Sequence, residues 1–452
     1  TLAGEQAYGF THPVLRPLLL DQRGEAETSD THARTARWLS THAGDEDTRW
    51  MGAIAWHFSN AGQREQSASY DMLAGRWARS IGDLGLAIEH FERANRDAAS
   101  RDGQMEALLA QGEALQLARH HDEAQPLLDE ALAWADEQGD PRLVLRCLLA
   151  QTHAADAAFD APAVKGYLER ALPLAVTLED DDARSRLLLS LTRNQLAHGH
   201  HEAAFDTLET ALELASDRLT ATRLAIQRGR LLMHMGRLSD ARETLDAAAD
   251  DALSLHHEVL FEIAREGKGW VALAQGEVEE GAALFTDGAR VFGRLGSHRP
   301  ALRCALGLAH VQASRGSYTA AANEAAAALE EATTRGEPVM EAWALSSIAW
   351  IFGEVRRDKH KLKAKELTPA AIKIAKIDLV QHLERAMAAL DEIGGGPGLY
   401  RGHAALAHAE QLADQGSDAA HAALEVAEAA VQGFESGRLR IRLEQLRERL
   451  NS

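Results

Sequence analysis

The stretches GRLSDARETLDAA (236–248), GEVEEGAALFTDG (276–288) and GSYTAAANEAAAA (316–328) follow one another every 40 residues. Each begins on glycine, reaches a small residue five positions on, and carries two more anchors four and seven positions beyond that. The same phrase recurs upstream as GDLGLAIEHFERA (82–94), HHDEAQPLLDEA (120–131) and HHEAAFDTLETA (200–211). The anchors are Ala87/Phe91/Ala94, Ala124/Leu128/Ala131, Val164/Leu168/Ala171, Ala204/Leu208/Ala211, Ala241/Leu245/Ala248, Gly281/Phe285/Gly288 and Ala321/Ala325/Ala328. Their first members lie 37, 40, 40, 37, 40 and 40 residues apart. Positions i, i+4 and i+7 share one helix face, and small residues let that face approach a neighbour closely. Glycines at 82, 199, 236, 276 and 316 suit a preceding helix that ends left-handed. One helical hairpin cannot bury its apolar face alone, so the seven copies between about 67 and 335 predict a stacked array.

Composition agrees with an all-α array. Only ten prolines interrupt 452 residues, and 46% of the chain is apolar, enough for a large core. The formal charge of −20 argues against general coating of nucleic acid. Two cysteines, Cys147 and Cys304, exclude a disulfide scaffold and a Cys-based zinc site. No run of about 18 uncharged apolar residues and no secretory leader pattern occur, so a soluble, cytoplasmic protein is expected. A first residue of Thr1 suggests a processed product or a piece of something longer.

The anchor pattern resembles the tetratricopeptide repeat, whose small–aromatic–small core it shares. The period is closer to the variant of about 39 residues found in large ATP-dependent bacterial regulators. A second resemblance lies upstream. YGFTHPVLRPLLL, THARTARWL and AIAWHFSNAG, followed by a repeat, are similar to the segment after the ATPase and winged-helix modules of signal-transduction ATPases with numerous domains, such as the large LuxR-type regulators. Phe10, His12 and Arg16 match its first phrase, His32 its helix, and His57-Phe58 its His-Phe pair.

These resemblances imply a right-handed superhelical solenoid with four parts: an N-terminal helical segment (1–66), the repeats (67–353), a Lys-rich insertion with a returning helix and a Gly-rich break (354–398), and a last repeat with a capping helix (399–452). RRDKHKLKAKELTPAAIKIAK (356–376) holds six of the eight lysines and is expected as a solvated loop between the two helices of an eighth pair. The tryptophans at 38, 50, 56, 77, 343 and 350 are expected in the core.

Enzymatic chemistry has no support. The chain lacks HExxH, GxSxG, CxxC, a dinucleotide loop and the phosphate loop GxxxxGK[ST]; REGKGW (265–270) has neither the spacing nor the hydroxyl residue. No cofactor and no metal are expected. The pairs His120-His121 and His200-His201 sit in equivalent turns two units apart, about 20 Å at roughly 10 Å per helix layer, too far for one ion.

In tetratricopeptide folds, two positions on the first helix of each pair face the concave groove. Eighteen residues before the anchor these are Glu106, Arg146, Arg186, Arg223, Ile263 and Arg303; eleven before it, Glu113, His153, Arg193, Arg230, Trp270 and His310. Forty arginines in 452 residues would place about half an Arg among six sites, yet the first row has four. Arg146, His153, Arg186, Arg193, Arg223, Arg230, Trp270, Arg303 and His310 are therefore the candidate groove residues. Guanidinium forks suit an acidic or phosphorylated peptide, protein or inducer; the competing expectation is ion pairing between adjacent repeats. Nucleic acid and membrane are not expected partners. The resemblance implies a regulatory sensor for an upstream ATPase module, and the alternative is a stand-alone adaptor between proteins.

Overall fold

A computed structural model describes residues 25–42, 50–118, 120–158, 160–197, 200–235, 237–357, 362–375, 379–392, 398–431 and 437–451. Phe10, His12, Arg16, the glycines at 199 and 236, and the lysines at 359, 361 and 376 lie outside them. Contacts divide the chain into two compact units, Thr1–Ala154 and Ala155–Ser452.

Helices follow one another throughout. The first unit contains α1 (Glu25–His42), α2 (Met51–Asn60), α3 (Arg64–Ser80), α4 (Leu84–Asp97), α5 (Arg101–Leu117), α6 (His121–Gln138) and most of α7 (Pro141–Ala158). The second continues with α8 (Ala161–Thr177), α9 (Asp181–Ala197), α10 (His201–Leu214), α11 (Arg218–His234), α12 (Leu238–Ser254), α13 (Glu258–Gln275) and α14 (Val278–Arg294). After these come α15 (His298–Ser314), α16 (Tyr318–Thr334), α17 (Pro338–Arg357), α18 (Pro369–Ala375), α19 (Leu379–Glu392), α20 (Gly398–Asp414), α21 (Ala420–Val431) and α22 (Gly437–Asn451). No strand occurs among the described residues, and no described helix is long and apolar enough to cross a membrane.

Side-chain caps open several of the helices. Asp83, Ser100, Asp160 and Asp217 each accept a backbone N–H in the first turn of the following helix, satisfying donors that the helix itself leaves open. Gly82, Gly276 and Gly316 take positive φ, as expected. All seven anchor triplets are buried.

The packing partner of each large anchor lies sixteen residues earlier, on the first helix of the pair. Gly75, Gly112, Gly229 and Gly269 face Phe91, Leu128, Leu245 and Phe285; a Cβ on Gly229 would stand 2.5 Å from Leu245 Cγ. The equivalent position is Thr152, Thr192 or Ala309 in the other copies, all buried. A large knob thus enters a hole kept open by a missing or short side chain, and this fixes how closely the two helices approach.

Two features depart from expectation. Residues 362–375 are a docked segment rather than a free loop: Leu362 and Leu367 pack on the core of α15–α17. The Lys363 N–H donates to Thr319 Oγ1 (3.2 Å), while Asn323 donates to the Glu366 carbonyl (2.9 Å) and accepts from the Thr368 N–H (2.8 Å). The segment gives up solvation because α16 offers it both apolar cover and backbone partners. Trp38 and Trp56 are exposed, against the expectation for core tryptophans: Trp38 stacks on His42 of its own helix, and Trp56 meets the neighbouring helix edge-on through His32. Trp343 and Trp350 are buried as expected. His32 and His57 come together, Nδ1 to Nδ1 at 2.8 Å, and Phe58 is buried and stacked on Tyr70.

Candidate functional site

The nine candidate residues fall into three groups. Arg146 is exposed and His153 half-buried, both on α7 in the first unit. The other seven belong to the second unit, where the first helices of successive pairs are α9, α11, α13, α15 and α17.

Glu266 on α13 organises four of them. Fifteen residues before the anchor, the other repeats carry buried Leu109, Leu149, Leu189, Ile226 and Leu306; here that place holds a carboxylate only 2% exposed. Arg230 on α11 and Arg303 on α15 both donate to its Oε2, at 2.6 and 2.8 Å, and Trp270 Nε1 donates to Oε1 at 2.7 Å. Burial alone would raise this carboxyl; Arg303, Arg230 and the indole N–H outweigh it and hold the group below the ordinary glutamate range. One carboxylate therefore ties three successive repeats. The guanidiniums of Arg230 and Arg303, 19% and 18% exposed, are engaged by the protein itself, as the ion-pair expectation has it.

Aromatic packing continues from this centre. Trp270 meets His310 and Trp343 (centroids 5.6 and 5.2 Å), and His310 stacks on Trp350 at 4.4 Å and 7° while its Nε2 lies 3.1 Å from Ser347 Oγ. Trp343 and Trp350 continue the two groove rows into α17, forty residues after Arg303 and His310.

The third group is Arg186 and Arg193 on α9 with Arg223 on α11. Arg193 is paired with Asp156, and Arg186 stands 3.9 Å from the half-buried Asp182. Among the described residues Arg223 has no hydrogen-bond or ion-pair partner. The surrounding protein thins its hydration, and the charges of Arg186 and Arg193 add to that in weakening its hold on the proton; its guanidinium nonetheless keeps solvent access. Such a side chain is exposed yet stands beside two like charges. Next to it, His257 caps α13 by accepting the Leu260 N–H on Nδ1 (3.3 Å). Burial first, and Arg223 second, push its pKa below the usual histidine value. A capping Nδ1 requires the neutral ring, so the proton resides on Nε2.

The groove rows left out Glu266, His257, Asp156 and the two tryptophans of α17. Glu266 and the tryptophans have a sequence signal: reading the repeats one aligned position at a time exposes a lone carboxylate in a column of leucines and carries the two rows on into residues 343 and 350. His257 and Asp156 have none, because their roles depend on which helix end faces which side chain. Chemically the group can bind an anion. Neither cysteine is a nucleophile: burial pushes Cys147 up to about 11 and Cys304 higher still. No group of metal-binding side chains occurs among the described residues.

No protein-family model matches the chain, and no curated protein matches it. Among solved structures it is similar to a signal-transduction ATPase with numerous domains from Pyrococcus horikoshii that has a tetratricopeptide repeat sensor. The TM-score is 0.54 at 14% identity over 86% of this chain and 57% of that one. It is also similar to a Rap protein complexed with competence and sporulation factor, with a TM-score of 0.53 at 13% identity over 85% of this chain and 99% of the other. The chain thus spans little more than half the length of the first protein and nearly all of the second. At these identities the likeness shows the fold, a tetratricopeptide-like all-α helical repeat solenoid.

Proposed function

We propose that the chain is a non-enzymatic, protein-binding repeat scaffold that acts as the sensor region of an ATP-dependent signalling protein, with the arginine face of α9 and α11 as its docking site for an acidic segment of the partner. The observation that carries this reading is Arg223, charged, solvent-accessible, beside two further arginines and without a partner among the described residues. A cation in a partly dehydrated place, attracted by Asp217 through space but neither hydrogen-bonded nor ion-paired, is unfavourable in the free protein and is relieved by an incoming anion. The sensor context is supported by the resemblance of residues 8–66 to the join after an ATPase module and by the similarity to a protein whose repeats are described as a sensor. For binding to signal, the ligand must favour one conformation of the array over another.

A stand-alone adaptor is the second reading, favoured by the chain spanning 99% of the Rap structure. An in-frame phosphate-loop sequence upstream of Thr1 would decide for the sensor, and a start codon immediately before it for the adaptor.

The docking site is tested by affinity capture from the native host, with Arg186→Glu/Arg223→Glu and Arg146→Glu variants in parallel, and by titration of each purified captured protein. Charge reversal in the second unit is expected to weaken the specific partner at least tenfold and Arg146→Glu to leave it bound. Equal binding to all three proteins removes the arginine face from the function.

A further inference from the structure

The arginine face differs along its length in a way that selects the ligand chemistry. Toward α13 and α15 the guanidiniums of Arg230 and Arg303 converge on an internal anion, Glu266. Toward α9 and α11, among the described residues, no single carboxylate bridges two of the arginines: Asp182 stands by Arg186 and Asp156 by Arg193. Arg186 and Arg193 are seven residues apart, two helical turns or about 10 Å on one face. Arg223 occupies the row position of Arg186 on the next first helix, about 10 Å away in a packed layer. Three long side chains based on such a triangle can close on one small anion, and His257 at the start of α13 lies close enough to feel the charge of Arg223.

The acidic groups around it are Asp156, Asp182 and Asp217. Asp217 accepts the Leu219 and Thr220 N–H groups at the start of α11 and attracts Arg223 through space, and Asp182 stands in the first turn of α9 at 3.9 Å from Arg186. Asp156 alone makes close contact with one of the three guanidiniums.

We propose that Arg186, Arg193, Arg223 and His257 form a binding site for a phosphoryl dianion carried on a peptide, so that the partner is recognised in its phosphorylated form. The inference rests on the docking reading above and narrows it. Arg223 makes no hydrogen bond or ion pair among the described residues and Arg186 only a long one to Asp182, so both forks stay open, and forks with a neutral N–H donor match the three terminal oxygens of a phosphoryl group better than the two of a carboxylate.

His257 is the built-in reporter. An anion seated beside it neutralises the field of Arg223 and raises the histidine's titration midpoint. The test follows His257 by NMR in the full-length protein, assigned with His257→Gln, while inorganic phosphate is added at constant ionic strength against acetate. Phosphate is expected to shift the midpoint upward by at least half a pH unit and acetate by much less; Arg223→Gln should abolish the response. Arg223→Lys, which keeps the charge but loses the fork, should retain part of it and serves as the control for folding. A phosphoserine peptide should then bind at least tenfold more tightly than its glutamate and unmodified counterparts, and compete with phosphate.

Equal responses to phosphate and acetate, or equal affinity for the phosphoserine and glutamate peptides, overturn the phosphoryl assignment while leaving an acidic docking face standing. A nucleoside diphosphate that binds more tightly than the phosphopeptide overturns the peptide part. A partner that depends on Arg186 and Arg223 but survives phosphatase treatment of the lysate refutes the inference and preserves the function; a partner indifferent to both arginines refutes the function itself.

Discussion

A single carboxylate, Glu266, shows how much one residue changes in a repeat. Its column is leucine or isoleucine in five other copies, so the array would pack without it. Burying a charge costs several kcal/mol unless charge-assisted hydrogen bonds satisfy it, and here three do. Glu266→Gln keeps the shape and removes the charge. It should cost about 2–4 kcal/mol at pH 7, in line with breaking one side of a buried pair. The pH dependence has a definite sign. The folded-state pKa is lowered, so the carboxylate's contribution is fully present above about 4.5 and is lost as the pH falls through the folded-state value. Urea titrations at pH 7 and in acid should therefore show wild type and Glu266→Gln converging on acidification. A constant gap would mean that the loss is steric.

At the scale of the element, the hole opposite each anchor decides the geometry of a hairpin. Gly229→Ala puts a methyl group where Leu245 Cγ already stands 2.5 Å away. Overpacking costs typically 1–3 kcal/mol and exceeds the gain of up to about 1 kcal/mol from replacing glycine in a helix. Gly166→Ala in α8 meets nothing within 4 Å and should show the gain alone. Thermal unfolding of the two variants should thus move in opposite directions; a shift of the same sign in both would show that packing at the hole is slack. The anchors and turn glycines were legible in the sequence because small residues at i, i+4 and i+7 and glycine at a left-handed helix end act locally. The hole was not, since residue 229 matters only through residue 245 on the facing helix. The docked segment 362–375 was missed for a related reason: its lysines dominate its composition, while Leu362, Leu367 and its hydrogen bonds to α16 hold it.

Along the second unit, ion pairs between neighbouring repeats recur, among them Arg230–Glu266, Arg303–Glu266, Arg299–Glu337 and Arg315–Glu279. The rows of candidate residues predicted a groove lined by a ladder of arginines with Trp270 and two histidines beside it. The structure divides those rows because counter-ions such as Glu266 come from columns that the rows omit. In a repeat array each unit depends mainly on its neighbours, so damage is expected to stay local. The two cysteines turn this into a measurement. Cys147 is buried in the first compact unit and Cys304 in the second, both as free thiols, so a thiol reagent can modify each only when its own surroundings open. Together they are a pair of timers already written into the chain. Quenched labelling read by mass spectrometry should show Glu266→Gln hastening modification of Cys304 at least tenfold and leaving the rate at Cys147 unchanged. If both thiols speed up together, the 452 residues open as one cooperative block, and a signal received at α9–α13 would reach the far end of the chain without any relay.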